Sequence, residues 1–108
     1  MIMVETLTIQ ELFEKSKILT KDELILDVRT PEEYAAGHVP GSRNISHDGI
    51  GPYAQELKSY KRVYVYCRSG GRVQFACHEL FNMGLRNLAA VVNGGMPDWV
   101  SSGFPVEI

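Results

Sequence analysis

Cys67-Arg68-Ser69-Gly70-Gly71-Arg72 gathers a thiol, two guanidinium groups and two glycines into six consecutive residues. A thiol is a nucleophile only as its thiolate. Free cysteine titrates near ~8.5, and cationic neighbours or a helix N-terminus lower that value. Before Cys67, Val63-Tyr64-Val65-Tyr66 has the β-branched and aromatic character of a strand, and Val73 to Met83 after Arg72 reads as an amphipathic helix. A loop that feeds a helix start aims main-chain N–H groups and the positive end of the helix into its own bowl, and Gly70 and Gly71 supply the curled backbone this needs. The pattern predicts a thiolate nucleophile at Cys67, with Arg68, Ser69, Gly70, Gly71, Arg72 and Val73 forming the anion-binding surface around it.

That loop has to be carried by other elements. Thr8 and Glu11 stand at capping-box spacing before an apolar stripe of Ile9, Leu12 and Phe13, which predicts a short first helix. Leu24 to Val28 is a continuous apolar strand containing one acid, Asp27, the pattern of a strand buried on both faces. Thr30, Pro31 and Glu33 mark a second helix start that Gly37 ends, and residues 38–42 are loop. From Ile45 the pattern is weak; Gly49, Gly51 and Pro52 interrupt it before a short helix at Tyr53 to Leu57. Gly84 closes the helix that follows the loop. Leu88 to Val92 is a further buried strand, Gly94-Gly95 a turn, Pro97 to Ser101 a last helix and Gly103 its stop. Strands alternating with helices predict an α/β fold, a parallel sheet covered by helices on both faces, with ligands beyond the carboxyl ends of the strands. Cys67, Asp27 and Asn93 all fall at such ends.

With 108 residues, 44% of them hydrophobic, the chain reads as one domain spanning 1–108 that buries roughly 60 to 70% of its unfolded surface. The formal charge of -2 gives no general attraction to nucleic acid or to an anionic membrane, so anion recognition is local. No apolar run approaches the ~18 residues of a membrane span, and Glu5 interrupts the N-terminal run Met1–Val4, so a soluble cytoplasmic protein is expected. Helix rise separates Cys77 from the loop by about 7 Å, too far for an undistorted bridge to Cys67, and both thiols are expected free. Cys67, Cys77, His38, His47 and His78 show no metal-ligand spacing. No metal and no cofactor are expected.

Asp27-Val28-Arg29, Glu33-Tyr34, residues 37–42 (GHVPGS) and Asn44-Ile45 resemble the N-terminal signature of rhodanese domains. Residues 67–72 (CRSGGR) resemble their active-site loop, and Gly94-Gly95-Met96 with Trp99, Gly103 and Pro105 resembles their C-terminal signature. The likeness covers nearly the whole chain in order. It implies a rhodanese-like sheet and a sulfurtransferase whose cysteine accepts sulfane sulfur as a persulfide and passes it to cyanide or a thiol, a protein acceptor among them. Relatives that use mercaptopyruvate have uncharged residues where Arg68 and Arg72 stand, so the resemblance favours thiosulfate or another anionic donor. Val73 departs from the serine frequent at its place.

Other residues carry plainer expectations. Cys77 lies beside Leu80 and Phe81 at helical spacing and reads as core filling. Arg72 serves either the substrate or an ion pair that stiffens the loop. Asp27, Arg29 and Glu33 read as structural groups near the site, His38 as a loop residue bonded to main chain, Trp99 and Phe104 as core or pocket rim. Two rival functions stand beside sulfur transfer. Phosphatases and arsenate reductases use a similar loop but resemble Cys-x5-Arg, whereas four residues separate Cys67 from Arg72 here. A binding module or persulfide carrier without turnover is the other.

Overall fold

The computed structural model describes residues 4–108, so the run Met1–Val4 lies outside it except for Val4. Five strands form one parallel sheet: β1 (Glu5–Thr6), β2 (Glu23–Asp27), β3 (Arg43–Asn44), β4 (Arg62–Tyr66) and β5 (Leu88–Ala90), in the order β1-β5-β4-β2-β3. Four α-helices connect them, α1 (Ile9–Ser16), α2 (Pro31–Ala36), α3 (Ala54–Lys58) and α4 (Gly71–Asn82), and α5 (Met96–Ser101) follows β5. None is long and apolar enough to cross a membrane.

Side chains alternate across the central strands, and this sorts the core into two layers. Leu24, Leu26, Val28, Val63, Val65 and Cys67 face α3 and α4, where Leu57, Val73, Ala76, Cys77 and Leu80 pack on them. Ile25, Tyr64, Tyr66, Ala89 and Val91 face Ile9 and Leu12 of α1 and Met96 and Trp99 of α5. Cys67 and the tyrosine preceding it thus point to opposite faces.

The expected helix starts appear with their caps. Thr8 and Glu11 close a reciprocal box on α1, and Thr30 and Glu33 do the same on α2, with Pro31 in the first turn. Gly84 ends α4 at φ 100°, its N–H on the Phe81 carbonyl and that of Leu85 on the Leu80 carbonyl. The strand expected at Leu24–Val28 runs from Glu23 to Asp27, and that expected at Leu88–Val92 stops at Ala90. β1 and β3, at the two edges, have no counterpart in the sequence reading. Two polar residues at an edge are too short to show a period of two. The weakly patterned stretch after Ile45 holds two 3-10 turns, His47–Gly49 and Gly51–Tyr53, before α3.

Candidate active site

Cys67 is the first residue past β4, and three residues later the chain reverses at Gly70, whose φ of 104° is left-handed, before α4 begins at Gly71. The reversal turns the Gly70 N–H back onto Cys67, where it donates to Sγ at 3.1 Å. No side chain is tolerated there: a Cβ on Gly70 would stand 2.0 Å from the Val92 carbonyl oxygen. Gly71 has an ordinary backbone and open space around it, so of the two glycines expected to shape the loop only Gly70 requires its lack of a side chain. On the opposite side the Cys67 carbonyl accepts the Met96 N–H at 2.9 Å, and a Cβ on Gly95 would come within 2.2 Å of that carbonyl oxygen. The segment after β5 therefore grips the loop from two directions. Ser69 and Arg68 are exposed, while Val73 is fully buried in the α4 layer, which leaves its main-chain N–H as the part that could serve a bound anion.

Arg72 turns toward α2. Its two terminal nitrogens donate to the two oxygens of Glu33 at 2.6 and 3.0 Å. The same Glu33 caps α2 through the Thr30 N–H, so one carboxylate ties the starts of two helices together. The Arg72 guanidinium holds the Glu33 carboxyl far below the usual range, at about 2. Of the two roles open to Arg72, the ion pair is occupied.

A second pair lies deeper. Asp27 is fully buried and Arg29 is 5% exposed; Arg29 Nε and Nη2 reach the carboxylate at 3.0 and 2.6 Å, and Nη2 also donates to the Gly37 carbonyl at 2.8 Å. The Tyr66 hydroxyl donates to Asp27 Oδ2 at 2.7 Å and accepts the Val39 N–H at 3.1 Å. Burial, with the Asp27 charge adding to it, pushes that phenol well above its ordinary value, so it stays a donor. Tyr66 was legible only as a strand residue; the overlooked signal is that a buried tyrosine, unlike phenylalanine, needs a partner for its hydroxyl. Through this latch the residue before Cys67 is fixed to Asp27 at the end of β2 and to Val39 in the loop that follows α2. His38 bonds main chain as expected, with Nδ1 2.8 Å from the Tyr34 carbonyl. Trp99 is core, its Nε1 donating to the Pro105 carbonyl.

Both cysteines are free. Cys77 is fully buried in the apolar layer beneath α4, and burial pushes its thiol up to about 12. Beside the loop a cleft of about 510 Å³ opens between α2 and α5, bordered by Arg68, Glu33 and Met96 at the loop and by Ala36, Val100 and Val106 farther out.

The Rhodanese-like domain family matches residues 8–102. A curated sulfurtransferase of Allochromatium vinosum is 33% identical over 87 residues, covering 81% of this chain and 80% of its own. The thiosulfate sulfurtransferase GlpE of Pseudoalteromonas translucida is 29% identical, covering 77% and 79%. Among solved structures, a Rhodopseudomonas palustris protein of unknown function, described as a possible tyrosine phosphatase, superposes with a TM-score of 0.86 at 27% identity, covering 96% of this chain and 85% of its own. Other curated relatives are longer, the chain spanning as little as 46% of one from Bacillus subtilis.

Proposed function

Because this chain belongs to the rhodanese-like domain family, we propose that it is a sulfurtransferase that carries sulfane sulfur as a Cys67 persulfide. The observation that carries the proposal is the Gly70 N–H directed at Cys67 Sγ from the turn that starts α4. A thiolate there attacks the outer sulfur of thiosulfate or a similarly anionic donor. The new S–S bond forms as the donor's S–S bond breaks, and sulfite leaves with the electron pair. The loop N–H groups and the positive end of α4 stabilise the charge on the terminal sulfur, and exposed Arg68 attracts the donor anion. Cyanide or a thiol, including one on a protein, then removes the outer sulfur and restores the Cys67 thiolate. Asp27, Arg29 and Tyr66 act beneath the loop as supports, and Glu33 holds Arg72.

The likeness to a possible tyrosine phosphatase keeps phosphate chemistry in view. Against it stands Arg72, whose two terminal nitrogens each donate to a Glu33 oxygen. A loop with four residues between Cys67 and Arg72 also makes a smaller bowl than the five-residue spacing. Thiocyanate release from thiosulfate and cyanide, assayed beside hydrolysis of an aryl phosphate, tests the assignment. Thiocyanate without phosphate release is expected; phosphate release alone would overturn it. Loading without turnover would identify a carrier.

A further inference from the structure

The cleft beside the loop is too large and too apolar for the chemistry of a small inorganic anion. At about 510 Å³ it falls among the pockets that hold organic ligands, and its outer walls are Ala36, Pro97, Val100 and Val106. One wall is fixed in place. His38 and Glu107 exchange two main-chain hydrogen bonds of 2.9 Å, and this seats Val106 against Gly37, where a Cβ would meet its Cγ1 at 3.0 Å. The cleft is thus formed before anything enters it.

Charge marks its inner end. Arg29 and Arg72 each spend their guanidinium groups on a carboxylate, whereas among the described residues Arg68 has no carboxylate within ion-pair distance and is exposed. Arg68 follows Cys67 directly, and Met96, on the facing wall, holds the Cys67 carbonyl at 2.9 Å. Cys67 does not itself line the cleft, but Arg68, the next residue, and Met96, bonded to its carbonyl, do, so a ligand that matches this surface carries its sulfur and an anionic group at that end and an apolar body behind them.

We propose that the cleft is the acceptor subsite and that the acceptor is a small organic thiol with an anionic group next to the sulfur and an apolar tail. The inference rests on the sulfurtransferase reading and names the acceptor class for the same site. The acceptor thiolate attacks the outer sulfur of the Cys67 persulfide; its new S–S bond forms as the Cys67 S–S bond breaks, and the electron pair returns to Cys67. The acceptor's thiol proton leaves to solvent, and no external oxidant or reductant takes part. The carboxylate meets Arg68 while the tail lies along Val100 and Val106.

Protein loaded with thiosulfate and freed of excess donor is mixed with 2-mercaptopropanoate, 2-mercaptohexanoate or 2-mercaptononanoate, and loss of the persulfide is followed in a single turnover. The rate constant is expected to rise about twofold for each added methylene, somewhat less than complete burial would give. Replacing the carboxylate by an ammonium group should slow transfer about tenfold, and Arg68→Gln should erase that preference. Val100→Asp and Val106→Asp, both at half-exposed positions that tolerate substitution, should flatten the dependence on tail length. A flat series in protein that loads and yields thiocyanate would overturn this inference alone, as would a peptide thiol that outruns every member of the series regardless of tail. Failure to load from any sulfane donor would overturn the sulfurtransferase reading and this inference with it.

Discussion

Cys67 and Cys77 are ten positions apart, both are essentially inaccessible at 1% and 0% exposure, and both face the same apolar layer. Burial therefore does not distinguish them. What differs is the polar environment at the sulfur. Cys67 has a main-chain N–H at 3.1 Å and the start of α4 beside it. Cys77 lies within that helix among Val73, Ala76 and Leu80, where no hydrogen bond from the described residues compensates for the loss of water and burial pushes the thiol up to about 12. One turn of backbone separates the surroundings of the two thiols.

The strongest way to break the contrast is to remove that turn. Gly70→Ala adds a Cβ at a left-handed position only 2.0 Å from the Val92 carbonyl oxygen, so the loop must open and the N–H must leave Sγ. Sulfur loading from thiosulfate should fall at least a hundredfold, and urea unfolding should show a loss of about 3 kcal/mol. Gly71→Ala, with open space around it, should load normally and unfold within about 1 kcal/mol of the parent. Equal losses in the two variants would mean that the turn at Gly70 is not what sets Cys67 apart.

Cys77 is tested by pH. Its folded value of about 12 lies above the ordinary value of 9.0, so its contribution to stability is complete below pH 9 and is lost as pH rises through 12. Urea midpoints should decline more steeply over that interval in the parent than in Cys77→Ala, whose loss at neutral pH should be about 1 kcal/mol. Parallel slopes would remove Cys77 as a buried, uncompensated thiol.

The smallest effect concerns the support of the loop by Glu33. Its carboxyl, held at about 2 by Arg72, stabilises the fold above pH 4.5, and this contribution is lost as pH falls through 2. With 30% of the Glu33 side chain in solvent, the contribution should be about 1 kcal/mol. Glu33→Gln should flatten stability between pH 4.5 and 2 and slow loading at neutral pH a fewfold. An unchanged acid profile would show that the pair adds nothing to the fold.

The sequence carried the central strands, the caps and the turn after Cys67 because each has a local signature. Continuous apolar runs marked β2, β4 and β5, and the Thr30–Glu33 spacing announced the start of α2. The edge strands were hidden because pairing to a neighbour, not composition, makes Glu5–Thr6 and Arg43–Asn44 extended. Contacts distant in sequence were hidden for the same reason. Nothing local joins Arg72 to Glu33, Tyr66 to Asp27 and Val39, or Gly70 to Val92, and these contacts hold the site together. The cleft was likewise illegible, since α2, α5 and the C-terminal segment meet only in the folded chain.

The most direct test of Cys67 as the sulfur-carrying residue is an intact mass after incubation with thiosulfate. The parent and Cys77→Ser should each gain the mass of one sulfur atom and lose it again on addition of cyanide, with thiocyanate released; Cys67→Ser should gain nothing. Sulfur gained by Cys67→Ser, or none gained by Cys77→Ser, would contradict the account.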